Sequence, residues 1–205
     1  MRKFIIMVSS IALLTGCASS SPSTLYSLLS KSSEKIALAN VEVIKNTTAI
    51  PLPSKVHGFS LERESFEITS RDSLIDFGDY KSNYKLFSFQ MNKGDVFRIE
   101  VISFCDCLGF DKRILVPVAY VFNENGEKID HRIVSAGATS GVAIVDVNIE
   151  AKAPLNGKYY LLVAANNSKP GRVVGGELLL PDGRPLITNK SNPYGKIMPS
   201  YELIK

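Results

Sequence analysis

From Phe66 to Val163 the chain keeps returning to short runs in which apolar and polar side chains alternate, each run closed by a turn. A period of two places alternate residues on opposite faces of a strand, so such runs specify half-buried β-strands. Phe66 and Ile68 make one run. In 84–91, Phe87 and Phe89 share a face that points at a core. In 96–104, Phe97, Ile99 and Val101 alternate with Arg98, Glu100 and Ile102. Asn92-Lys93-Gly94-Asp95 between them is a turn signal, so 84–91 and 96–104 are expected to pair as a hairpin. Ile114–Phe122 is almost wholly apolar and reads as a buried strand. Its Pro117 lacks an N–H and requires a bulge or an edge. Asn125-Gly126 suits a tight turn with positive φ, and 128–134 is the expected partner strand. Further strands are expected around Val142–Ile149, with a phase slip near Asp146, and at Tyr159–Val163. A last hairpin is expected from 177–180 and 185–188, and an edge strand at 201–204. Earlier, Ile36 and Leu38 alternate, and Val41 and Val43 alternate in the other phase, which suggests a strand with a bulge. Roughly nine or ten short strands and no long helix specify an all-β protein, an antiparallel β-sandwich.

The amino terminus obeys a different rule. Arg2 and Lys3 precede an apolar run, Phe4–Leu14, of 11 residues. A membrane-spanning helix needs about 20, so the run is the core of a secretory signal. It ends in Leu14-Thr15-Gly16-Cys17, which resembles the lipobox of bacterial lipoproteins. That resemblance implies cleavage before Cys17 and lipid on its sulfur and amine, and several acyl chains on one residue make a stable anchor. Ala18, rather than Asp, follows the cysteine. By the sorting rule of enteric bacteria this implies the outer membrane, facing the periplasm. Ala18–Ser23 is Ser-rich and reads as a tether, and Leu25, Leu28 and Leu29 suggest a short helix behind Thr24. The expected organisation is a signal at 1–16, a lipidated cysteine and tether at 17–35, and one sandwich domain at 36–205.

Removal of the signal leaves 189 of 205 residues and takes away two of 24 basic residues, so 22 stand against 20 acidic ones. Lys and Arg are scattered rather than striped, which argues against nucleic acid as a partner. Cys105 and Cys107 flank Asp106. Three readings compete: a local disulfide, two reduced or differently paired thiols, and a metal or redox site. The metal reading has only His57 and His131 to draw on, and neither is spaced to meet the cysteines. Asp72, Asp76 and Asp79 are oxygen donors without the spacing of a calcium loop and read as solvated turn residues. Tyr159-Tyr160 offers a sugar-stacking surface, but one of the two should face the core. There is no Gly-x-Ser-x-Gly elbow and no phosphate loop opening a helix. No metal and no cofactor are expected.

Ser73, Asp76-Phe77, Lys81-Ser82, Tyr84-Lys85, Phe87, Val101, Ser103, the strand Ile114–Val118, the Asn123–Gly126 turn and Gly157-Lys158-Tyr159-Tyr160-Leu161-Leu162-Val163 carry a second resemblance. Over about residues 65 to 165 their pattern is similar to a group of exported proteobacterial proteins. The group includes the β-sandwich that follows secreted peptidases and the maltose-operon periplasmic protein. The resemblance implies a jelly-roll-like sandwich in a non-catalytic accessory role, and it transfers no catalytic residue. The expected function is therefore a lipid-anchored accessory or interaction module of the cell envelope, with no enzymatic activity. An envelope protein or a glycan is its expected partner. The alternative is a lipoprotein that binds carbohydrate or another small solute.

Overall fold

The computed structural model describes residues 36–37, 40–55, 63–105, 111–139 and 144–204. Fourteen strands and one short helix follow in the order β1 (Ile36–Ala37), α1 (Asn40–Asn46), β2 (Ile50–Pro51), β3 (Phe66–Ile68), β4 (Leu74–Asp76), β5 (Lys81–Met91), β6 (Val96–Phe104), β7 (Asp111–Leu115), β8 (Pro117–Asn123), β9 (His131–Thr139), β10 (Ile144–Lys152), β11 (Gly157–Ala165), β12 (Val173–Leu179), β13 (Pro185–Asn192) and β14 (Gly195–Ile204). The protein is an all-β, sandwich-like fold, as the alternation requires.

The first sheet runs β1-β4-β5-β11-β8, with β2 also on β5; the second runs β3-β14-β6-β10-β9. Three antiparallel pairings are nested in sequence: β9 with β10, β8 with β11, and β6 with β14. They alternate between the two sheets, which is how a jelly roll winds a long hairpin into two layers. Between the layers lies one apolar core. Phe87, Phe89, Leu161 and Val163 come from the first sheet, and Phe97, Ile99, Val101, Ile149 and Ile197 from the second. Phe89 meets Phe97 edge to face at 5.4 Å, a favoured aromatic geometry. Ile129 closes the side of the sandwich, its N–H donating to Val121 O at 2.8 Å.

A third sheet, β12-β13-β7, caps one end. It packs over Ile114, Val145 and Val174. β12 and β13 form the expected last hairpin, with Gly183 in its turn at φ 81°.

Several expected pairings are corrected. β6 has the expected limits and β5 begins three residues earlier than expected, at Lys81, but β5 pairs with β4, β2 and β11 while β6 pairs with β10 and β14. The Asn92–Asp95 turn is thus an arch from one sheet to the other. It is tied down by Gly94 N–H donating to Ala153 O and Ala153 N–H donating to Asp95 O. β8 pairs with β11 rather than in a ladder with 128–134, which meets it through the isolated Phe122–Lys128 bridge and the Ile129 N–H to Val121 O hydrogen bond. The expected strand over Val41–Val43 is the helix α1. The expected edge strand at 201–204 is the end of β14, which lies inside its sheet. Pro117 opens β8, an edge strand, where no ladder N–H is missed.

Candidate functional site

The sandwich presents two broad outer faces of opposite chemistry. On the second sheet, residues that alternate with the core side chains form a row of cross-strand partners: Glu202 opposite Arg98, Arg98 opposite Glu150, and Glu150 opposite Arg132. Arg132 Nη2 and Nε donate to Glu150 Oε1 at 2.6 and 3.0 Å, and Arg98 Nη2 donates to Oε2 at 3.3 Å. Lys55 bridges Glu100 at 3.5 Å and Glu202 at 3.7 Å, and Arg63 meets Glu100 at 2.8 Å. The Arg132 hydrogen bonds, aided by Arg98, hold the Glu150 carboxyl below the usual carboxylate range against the opposing effect of desolvation. Four cations share three carboxylates, so the two signs interleave on this face and it offers no broad one-signed field to a polyanion.

At the end of the row Val96, Asp130, His131, Arg132, Glu150, Ala151 and Lys152 line an open pocket of about 330 Å³. Of its two carboxylates, Asp130 and Glu150, the second is already committed to two arginines. The His131 ring Nδ1 lies 3.1 Å from Ile129 O, a local hydrogen bond. Beside the pocket runs β9, the free edge of the second sheet, with Ile133 64 % exposed. A register shift opposite Asn148 and Ile149 breaks its ladder, a device that discourages pairing with another edge.

The outer face of the first sheet is apolar. Tyr84, Leu86, Phe122, Leu162 and Ala164 are buried there under Val43, which is fully enclosed, and Ile44 of α1. Tyr84 OH and Thr47 Oγ1 form a short hydrogen bond that fixes the end of the helix. α1 covers only part of the face. Phe77, Tyr80, Tyr120 and Tyr160 lie half-exposed beside it. Phe77 stands 5.0 Å from Tyr80 and 5.8 Å from Tyr120, ring centre to ring centre. Burial raises the Tyr80 hydroxyl pKa, with Tyr120 and Asp79 adding to it. Lys128 Nζ sits 4.9 Å over the Tyr120 ring, and Lys158 Nζ 5.4 Å over Tyr160.

The sequence-derived candidates disperse. Cys17, Cys107 and His57 lie outside the described residues. Cys105 is disulfide-bonded, and its partner too lies outside them. Asp72 is engaged by Lys85 at 2.7 Å and by Thr69 N–H and Oγ1–H at 2.7 and 3.1 Å, while Asp76 accepts from Gly78 N–H. Among the described residues no three metal-ligating side chains come together. Tyr159 is buried in the core, its OH donating to Leu155 O at 2.8 Å, and Tyr160 turns outward. Sequence reading missed Phe77, Tyr80 and Tyr120 as neighbours of Tyr160. The available signal was the phase of Tyr120 within Pro117–Asn123, which sets it on the face opposite Ala119 and Val121. No protein-family model matches this chain, and no curated protein is significantly similar to it.

Proposed function

We propose that the chain is a lipid-anchored accessory module of the bacterial envelope that acts by binding rather than by catalysis. The observation that carries the reading is the sequence Leu14-Thr15-Gly16-Cys17 behind a basic, apolar start. The spacing after it agrees: β1 begins at Ile36, so 18 residues, 18–35, separate Cys17 from the first strand. An extended chain gives at most about 3.3–3.6 Å per residue, so the linker has a reach of roughly 60 Å from the lipid surface. Ala18 directs the anchor to the outer membrane, with the sandwich in the periplasm. In that oxidising compartment Cys105 pairs with Cys107, and the bonded state of Cys105 supports this.

The test is fractionation of cells that make the protein or its Cys17→Ser variant. The parent should sediment with outer membranes, and the variant should leave them. A variant that still sediments with the outer membrane would sink the anchor reading. Cross-linking in intact cells, with the sandwich as bait, should give a discrete envelope partner or peptidoglycan.

A further inference from the structure

The outer face of the first sheet carries a feature that an inert cover would not need. Tyr120 and Tyr160 belong to neighbouring antiparallel strands. Tyr120 is opposite Leu162 and Tyr160 is opposite Phe122, so the two tyrosines are diagonal neighbours on one face. Such positions lie about 7–8 Å apart, within reach of one another's rings. Lys158 is two residues before Tyr160 on the same strand, and Lys128 bridges to Phe122 on the same row, so both ammonium groups are on this face as well. Both lysines are exposed. Neither has a carboxylate partner among the described residues; what each meets is a tyrosine ring. Phe77 and Tyr80 extend the aromatic surface beyond Tyr120.

We propose that Tyr120 and Tyr160, with Lys128 and Lys158, form a binding platform for an acidic glycan. The C–H face of a pyranose ring is apolar and packs on an aromatic ring, which supplies contact area at low entropic cost. A carboxylate on the sugar then accepts charge-assisted hydrogen bonds from the ammonium groups. An ammonium over a tyrosine at an exposed site is held only weakly, so it swings readily to a stronger anionic partner. The charge that selects the ligand is local: the opposite face pairs its own carboxylates with cations, whereas among the described residues neither of these two lysines stands in an ion pair. A neutral sugar lacks the group that the lysines would recognise. The proposal rests on the binding-module reading and is independent of the lipid anchor.

The test uses the full-length protein in detergent, run through native gels cast with polygalacturonate or with dextran. Polygalacturonate should retard the parent and dextran should not. Lys128→Gln with Lys158→Gln, both on exposed side chains, should weaken retardation at least tenfold and remove most of its salt dependence. Tyr120→Ala should weaken it by a similar factor. Equal retardation in dextran, or retardation that survives the paired lysine change, would overturn the proposal. So would absence of retardation; if a discrete envelope partner is cross-linked in the same preparation, the platform fails and the interaction module stands.

Discussion

At the scale of single residues, two kinds of position set the stability. Gly126 combines a φ of 81° with no room for a side chain: a Cβ there would lie 2.7 Å from Val41 Cγ2 and 3.0 Å from Val41 Cα. Gly94 has a similar φ of 94° but open space around it. Gly94→Ala should therefore cost about 1 kcal/mol from backbone strain alone. Gly126→Ala should cost at least about 1–3 kcal/mol more as the turn and α1 are forced apart, and urea midpoints of the two variants would show the difference. Tyr159→Phe removes a hydroxyl that donates to Leu155 O and accepts from Leu155 N–H. It should lower stability by about 1–3 kcal/mol, since a Leu155 backbone group loses its partner. Glu150 sets a pH dependence. Its folded pKa is depressed below the ordinary value of 4.5, so its contribution is present above that pH and is lost as pH falls through the depressed folded value. Glu150→Gln should flatten the stability profile below about pH 4.5. A profile as steep as the parent's would contradict the role given to Arg132 and Arg98.

At the scale of elements, most strands were legible and their partners were not; Ile114–Phe122, read as one strand, is divided between β7 and β8 in different sheets. The alternation in 84–91 and 96–104 located β5 and β6, because burial on one face leaves a period of two in the sequence. It could not tell a hairpin from an arch. Both bring Phe89 near Phe97, one side by side and the other face to face across the core. The arch wins because Leu86 and Tyr84 are buried too, so β5 must be covered on both faces and lie inside its sheet. The edge strand expected at 201–204 is the end of β14, which runs through Pro199. On the side of β14 away from β6, β3 pairs only with Gly195 to Ile197, and the segment before Lys55 takes over at Tyr201. Tyr201 N–H and C=O both face that segment, and Pro199, two residues earlier, falls in the gap where no ladder hydrogen bond is missed. α1 was hidden by two valines that imitate alternation. Its helical cues were electrostatic, Glu42 in the first turn and Lys45 in the last. A seven-residue helix does not stand alone in water, so α1 persists through Val43. Val43→Ala should cost about 2 kcal/mol. Hydrogen exchange should then rise in α1 while β6 and β10 keep their protection; unchanged exchange in α1 would show that other contacts hold the helix.

At the scale of the whole molecule, the all-β class followed from pattern alone, whereas the aromatic surface required three-dimensional placement. Tyr80, Tyr120 and Tyr160 are 80 residues apart at the extremes of sequence, and only the β8–β11 register with the β4–β5 turn brings them to one face. The proposed address of the molecule, by contrast, rests on a local signal, the residues up to Cys17. The account therefore depends first on what becomes of Cys17. Intact mass spectrometry of the protein from membrane fractions, before and after reduction and alkylation, reads this directly. The predicted result is a chain that begins at Cys17 and carries the added mass of its acyl chains, with two thiols alkylated only after reduction. An unacylated chain would contradict the anchored module, and two thiols open to alkylation without reductant would contradict the Cys105–Cys107 bond.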